Sequence, residues 1–151
     1  MELKEQYIQD RVSENTPEEI NSEIDQKVIN NITHYYNLPS EKITKRLEKL
    51  QKEWDIERTL EVNASAIALT GLMLGRLAGR RWYALTGVFA VFLLQHGLQG
   101  WCPPIPFFRA LGVRTRREID EEIYALRVLR GDFDEISANS GPDDIVRSYR
   151  G

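Results

Sequence analysis

The chain has 151 residues, a length that suits one ordinary domain and leaves little room for two. Its net charge of −3 is unremarkable, but the charges are unevenly distributed. Residues 1–61 hold fourteen acids and nine bases, residues 62–117 hold seven arginines and no acid, and residues 118–151 hold nine acids and four arginines. An apolar middle bearing only arginines favours membrane lipid as a partner, and it argues against nucleic acid, which requires a solvated basic patch.

The N-terminal segment, residues 1–15, is polar and predicts a flexible N-terminus. It lacks the apolar core of a secretory signal, so we expect no cleavable signal and a cytoplasmic N-terminal arm. The single cysteine, Cys102, excludes an intramolecular disulfide and an all-cysteine metal site.

Residues 16–61 predict an amphipathic helical hairpin. A helix start at Thr16-Pro17 and a turn at residues 37–40 bracket the first helix, and a second helix follows. Apolar residues recur at three- and four-residue spacing in both, so each helix has one apolar face. The two apolar faces consist of Ile20, Ile24, Val28, Ile32 and Tyr35, and of Ile43, Leu47, Leu50 and Trp54. Two such helices joined by a short turn are expected to pack antiparallel.

Residues 62–101 predict a second, far more apolar hairpin, with its core from Ala64 to Leu98 and a tight turn at Gly79-Arg80-Arg81. Neither arm has a polar face, which is unusual for a helix exposed to water. Each arm of about 17 residues would rise roughly 26 Å, against about 30 Å for a bilayer core. The pattern therefore predicts a short transmembrane or re-entrant hairpin.

Small residues at four-residue spacing line one face of the first arm. An interior glycine costs a helix in water about 1 kcal/mol, whereas in lipid such a face lets two helices approach closely. We therefore expect helix packing, and a homo-oligomer, to depend on this face. Its members are Ala64, Ala68, Gly71, Gly75 and Gly79.

Residues 102–131 predict a proline-rich exit followed by an amphipathic helix. The prolines at 103, 104 and 106 prevent the preceding helix from continuing. Residues 132–151 have the composition of an acidic tail, and no region has the alternation of a strand. The expected fold is all-α: a membrane helical hairpin flanked by an N-terminal amphipathic αα-hairpin and a C-terminal amphipathic helix. That C-terminal helix carries Ile119, Ile123, Leu126 and Leu129 on one face and ends at Gly131.

Cys102 is the one thiol candidate for chemistry. It follows a helix, where the negative end of the helix dipole disfavours a thiolate, so a structural role is favoured over a redox, persulfide or metal role. His96, Gln95 and Gln99 place polar groups near the end of the second arm, where hydrogen bonds to the first arm are expected. His96 and Cys102 alone would make a poor metal site. Because no phosphate loop or nucleophile–base pair occurs, we predict no enzyme, no metal and no cofactor.

Seven arginines are candidates for contact with lipid headgroups. Those at the hairpin turn could reach the headgroups from the end of an arm, while those after the hairpin could instead pair with Glu118, Asp120 or Glu121. Both alternatives stay open, and both termini are expected in the cytoplasm. The seven are Arg76, Arg80, Arg81, Arg109, Arg114, Arg116 and Arg117.

Four short motifs lie within residues 54–118: Glu57-Arg58, Gly71, Gly100-Trp101-Cys102-Pro103 and Leu111-Gly112-Val113-Arg114-Thr115. Through these motifs the segment resembles the YgaP-like inner-membrane transmembrane domain family. The resemblance implies two short transmembrane helices, a bacterial inner-membrane location and possible dimerisation. Where this family usually opens with Asn-x-Gly, the chain has Trp54-Asp55-Ile56, and it lacks the rhodanese domain that some members carry.

Three functional hypotheses follow. The first is a non-enzymatic integral membrane protein whose hairpin anchors and oligomerises while its amphipathic helices bind a protein partner in the cytoplasm. The second is a membrane-bound thiol protein that uses Cys102 for sulfur transfer or redox sensing. The third is a soluble helical oligomer whose hairpins share a core.

Overall fold

The computed structural model describes residues 11–136 and 140–150, and all regular structure in this part of the chain is helical, which confirms the all-α prediction. A 3₁₀ turn at Arg80–Trp82 joins the two most apolar helices. The α-helices are α1 Arg11–Glu14, α2 Glu18–Tyr35, α3 Ser40–Lys52, α4 Ile56–Leu77, α5 Tyr83–Gln99, α6 Ile105–Ala110, α7 Arg116–Arg130 and α8 Pro142–Arg150.

Two compact units interleave along the sequence. Unit 1 contains the described residues up to Ile24 together with Trp54–Arg117, and unit 2 contains Asp25–Glu53 together with the described residues from Glu118 onward. These units differ from the consecutive segments expected from the sequence. Each of the predicted segments 16–61 and 102–131 is divided between unit 1 and unit 2. The physical reason is that apolar faces far apart in sequence share a core.

The core of unit 1 includes the short helix α1. Val12 is 3% exposed and packs with Ile56, Leu60, Cys102 and Ile105. Residues 11–14 are therefore helical and attached to the core, although the sequence predicted a flexible segment through residue 15; residues 1–10 lie outside the described residues.

Gly100 ends α5 in the left-handed conformation, with a φ of 70° and its N–H donating to the His96 carbonyl at 2.7 Å. A Cβ at this position would lie 2.3 Å from the Cβ of Arg11. Both the backbone conformation and the close approach of α1 therefore require glycine.

A capping aspartate determines where α4 begins. The Asp55 side chain accepts a hydrogen bond from the Arg58 N–H at 2.8 Å, and the Ile56 N–H donates to the Arg114 carbonyl at 2.9 Å. Helix α4 thus starts six residues before the predicted apolar arm, because capping rather than hydropathy sets its first residue. Trp54, expected on the apolar face of α3, is 45% exposed, and the Arg58 guanidinium lies 4.5 Å from the centre of its ring.

Helices α4 and α5 form the predicted apolar hairpin, with Gly79 in the turn at a φ of 127°. α4 has 22 residues and α5 has 17. Among the described residues, no helix combines the length and the apolar character needed to cross a membrane.

The core of unit 2 joins α3 and α7, which the sequence had assigned to separate segments. The apolar face predicted for α7 is confirmed, and that of α3 is confirmed except for Trp54, which lies beyond the end of the helix. Their buried members are Ile43, Leu47, Leu50, Ile119 and Leu126, with Tyr35, Ile123 and Leu129 packed against them.

Beside this core lies Glu122, whose side chain is fully buried and accepts a hydrogen bond from the Arg46 Nε at 2.9 Å. A buried carboxylate needs such a partner, because an uncompensated charge in the interior is very costly.

The C-terminal end of α7 is held by a cluster of ionic hydrogen bonds. Asp132 accepts from Arg130 through both of its carboxylate oxygens at 2.6 Å, and from the Arg127 Nε at 3.0 Å. Arg127 also donates to the backbone carbonyl of Ser148, in α8. The segment predicted as an acidic tail therefore contains a helix, although residues 137–139 and 151 lie outside the described residues.

The Asp132 cluster makes the stability of the protein depend on pH. The hydrogen bond from Arg130 lowers the pKa of Asp132 below its ordinary value of 3.8. A lowered folded pKa means that the stabilisation is fully present above about pH 4 and is lost as the pH falls through the folded value. We expect Asp132→Asn to be less stable than the wild type by about 1 kcal/mol at pH 7 and to lose less stability on acidification. Denaturant unfolding at pH 7, 4 and 3 measures both, and equal pH dependence of the two proteins would contradict the assignment.

Candidate functional site

Helices α4 and α5 approach each other closely at two glycines of the predicted small-residue face. A Cβ at Gly71 would lie 2.6 Å from the Thr86 Oγ1 and 3.0 Å from the Thr86 backbone nitrogen. A Cβ at Gly75 would lie 2.5 Å from the Tyr83 ring. This face is therefore already occupied by α5 of the same chain, and packing within the hairpin is the role that the contacts assign to it.

Ala64 and Ala68 of the small-residue face extend this contact, whereas Gly79 lies in the turn, where an added Cβ would meet nothing within 4 Å. The Thr86 hydroxyl donates to the Ala68 carbonyl at 2.9 Å, and Ala64 is buried at 7% exposure. Thr86 and Tyr83 are partners that the sequence analysis did not identify. The only signal for Thr86 was a hydroxyl in an otherwise apolar arm, where an interhelical hydrogen bond is its natural use.

The outward faces of the hairpin carry large apolar side chains that contact nothing in the chain over much of their surface. The most exposed are Leu77 at 78% and Leu98 at 71%. Exposed apolar side chains that recur along a helix are typical of a site of contact with lipid or with another protein. The set comprises Val62, Leu69, Leu72, Met73 and Leu77 of α4, and Val88, Val91, Leu94 and Leu98 of α5.

A pocket of about 310 Å³ lies in unit 1, between α4, α5 and the segment from Cys102 to α6. His96 and Cys102, predicted as candidates for chemistry, both line it, whereas Gln95 and Gln99 do not. The remaining lining is almost entirely apolar, so the pocket suits apolar atoms better than a charged substrate. The other lining residues are Leu60, Asn63, Ala64, Ile67, Phe89, Phe92, Leu93, Pro104, Phe107 and Phe108.

Cys102 is a poor nucleophile in this setting. It is 3% exposed, and burial raises the pKa of its thiol above the ordinary value. A thiol needs thiolate character to attack a sulfur or carbon centre, and burial disfavours the charged form. Across the described residues, no group of three or more His, Cys, Asp or Glu could hold a metal ion. The geometry thus favours the structural role of Cys102 over the thiol hypothesis.

The predicted headgroup arginines divide into an exposed group and a buried group. Arg109 is 1% exposed and donates to the Asn21 Oδ1 at 2.8 Å and the Val113 carbonyl at 3.2 Å, and Arg114 is 7% exposed. These two cannot reach headgroups, because their side chains are enclosed by the protein, and the expectation is corrected for both. The exposed group consists of Arg76, Arg80 and Arg81 around the hairpin turn, and of Arg116 and Arg117 at the start of α7.

Comparisons of the chain with protein-family models, with curated proteins and with solved structures found no match. The resemblance to the YgaP-like family therefore stays a prediction, and the site is interpreted from its own geometry.

Replacing Gly71 by alanine should loosen the hairpin. The added methyl group would meet the Thr86 backbone, which cannot move without shifting α5, so we expect a loss of about 1–3 kcal/mol in the free energy of unfolding. The matched control is Gly87→Ala, since a Cβ at Gly87 has nothing within 4 Å and alanine favours a helix. Hydrogen exchange of the α4 and α5 amides measures the effect, and equal protection in both variants would contradict the close contact.

Labelling of Cys102 with a thiol reagent should be slow at pH 7 in the folded protein and fast in denaturant, because the thiol is buried and its pKa is raised. Since the chain has one cysteine, the signal reports this site alone. If Cys102 of the folded protein were labelled at pH 7 as fast as a small free thiol, the result would contradict this prediction and support the thiol hypothesis.

Proposed function

We propose that this chain is a non-enzymatic membrane protein that the α4–α5 hairpin anchors in a lipid bilayer. The observation that carries the proposal is the set of nine large apolar side chains on the outward faces of the hairpin. Exposure of so much apolar surface to water is unfavourable, and transfer into lipid removes that cost. The absence of any acid from residues 62–117 supports the same conclusion.

The hairpin is proposed to lie within one leaflet, tilted and shallow. Residues 62–77 of α4 rise about 24 Å and α5 about 26 Å, which is short of the roughly 30 Å of a bilayer core. The exposed arginines of the turn, Arg76, Arg80 and Arg81, need headgroup or water contact, and shallow placement provides it without crossing the bilayer. Arg116 and Arg117, at the other end of unit 1, would meet headgroups of the same leaflet.

This placement puts both termini on one side of the membrane. With the resemblance of residues 54–118 to an inner-membrane family, it supports a location at the cytoplasmic face of a bacterial inner membrane. Self-association belongs to the proposal, but through outward side chains such as Leu72 and Val91, since α5 of the same chain already occupies Gly71 and Gly75. The amphipathic helices are proposed to bind a protein partner in the cytoplasm.

Membrane fractionation tests the anchor. We expect the protein to stay in the membrane pellet after alkaline carbonate extraction, and the double variant Leu72→Glu/Val91→Glu to shift to the soluble fraction. Two carboxylates at these positions should weaken vesicle binding at least tenfold, because each costs on the order of 1 kcal/mol or more in the apolar region. The control is Ile29→Glu/Tyr36→Glu, which adds the same charge at exposed apolar positions, 55% and 67% exposed, in unit 2.

Release of the wild-type protein by carbonate would overturn the proposal and favour the soluble-oligomer hypothesis. Equal vesicle binding by the hairpin pair and the control pair would show that the outward faces do not contact lipid. Circular dichroism of both pairs establishes that a loss of binding does not reflect unfolding.

A further inference from the structure

A second pocket, of about 230 Å³, lies within unit 2 and has a very different lining. Four of its seven lining residues are basic side chains of α3, and the others come from the end of α2 and the turn that follows it. The lining residues are His34, Tyr35, Leu38, Lys42, Lys45, Arg46 and Lys49. None of its lining residues belongs to the α4–α5 hairpin or to the seven arginines predicted to contact headgroups.

The pocket lies beside a basic stretch of a region in which acidic residues otherwise outnumber basic ones. Residues 1–61 hold fourteen acids and nine bases, yet residues 42–52 hold five of those bases and a single acid, Glu48. Positions 42, 45, 46 and 49 recur at three- and four-residue spacing, which places their side chains on one face of α3. Clustered cations repel one another, so their shared position around a cavity favours the binding of an anion there.

Two of the cations have a carboxylate partner and two do not. The Lys45 Nζ lies 2.6 Å from the Glu41 carboxylate, and Arg46 is paired with Glu122. Lys42 and Lys49 are exposed and form no ion pair with any described residue. Neither acidic partner lines the pocket. An anion entering it would therefore meet two uncompensated ammonium groups.

Arg46 is held in position before any ligand arrives. Its Nε and one terminal nitrogen lie 2.9 and 2.8 Å from the same Glu122 oxygen, and Glu122 is fully buried. Asn31 donates to the other carboxylate oxygen at 3.4 Å. The second terminal nitrogen of Arg46 makes no hydrogen bond to the described residues, so its donors are available to a ligand. A fixed guanidinium loses little conformational entropy on binding, which favours affinity.

We propose that this pocket binds a phosphate group, carried either by a small soluble molecule or by a lipid headgroup. Phosphate bears up to two negative charges, which match Lys42 and Lys49, and its oxygens accept the donors of Arg46. Leu38 and the Tyr35 ring give the pocket an apolar wall for the organic part of the ligand. The proposal is independent of the hairpin anchor, because every residue in it belongs to unit 2.

The test compares two double variants of equal charge in the full-length protein. Lys42→Gln/Lys49→Gln removes the two uncompensated cations of the pocket, whereas Lys27→Gln/Lys52→Gln removes two exposed cations of the same unit that do not line it. All four positions are exposed, so both proteins should fold. Calorimetric titration with inorganic pyrophosphate measures affinity for a soluble phosphate compound, and this is the pyrophosphate arm of the test. Co-sedimentation is measured with vesicles of phosphatidylglycerol in phosphatidylcholine and with vesicles of phosphatidylcholine alone. The difference gives the binding that depends on the phosphatidylglycerol headgroup, and this is the vesicle arm of the test.

We expect the pocket variant to bind about tenfold more weakly in at least one arm and the control variant to bind like the wild type, since each removed contact is worth several-fold in affinity. Loss in the pyrophosphate arm identifies a soluble phosphate ligand, and loss confined to the vesicle arm identifies a headgroup. Equal losses of affinity in the two variants would show that general surface charge causes the binding, and this would overturn the proposed site. A wild-type protein that binds neither probe would also overturn it. Failure of the hairpin anchor would abolish binding to neutral vesicles but leave the pyrophosphate arm unchanged, so the two proposals fail separately.

Discussion

The close contact between α4 and α5 at Gly71 and Gly75 is the constraint on which the rest of unit 1 depends. Two helices can approach this closely only where one presents no side chain, and here the other helix fills the space with Thr86 and the Tyr83 ring. Because the small-residue face is turned inward, the large aliphatic side chains of both helices are turned outward. The apolar exterior of the hairpin is thus a direct consequence of its glycine interior.

The arginines of residues 62–117 fall into an exposed group and a buried group. The exposed arginines lie around the turn and at the start of α7, whereas Arg109 and Arg114 are enclosed by the protein. A guanidinium can be buried only with hydrogen-bond acceptors around it, and Asn21 and the Val113 carbonyl are two of those for Arg109. Arginines with similar surroundings in the sequence therefore serve different purposes, some in folding and some at the surface.

Unit 2 is organised around a buried carboxylate rather than a glycine contact. Glu122 sits at the apolar contact of α3 and α7 and aligns Arg46, which in turn lines a cavity rich in lysine. A single ion pair thus connects the packing of two helices to the chemistry of a surface pocket. A buried pair of this kind rarely adds much net stability, but it fixes the position of the Arg46 guanidinium.

The sequence by itself determined the helical class, the apolar faces of α3 and α7, the glycine turn and the apolar hairpin, because each of these follows from residue spacing within one short segment. Only the tertiary structure decided which faces meet. It joined α3 to α7, attached α1 to the core through Val12, buried Cys102 and two arginines, and brought the α3 lysines around a pocket. Local periodicity reports that a face is apolar but not what covers it, so contacts between segments that lie far apart in the chain could not be predicted from it.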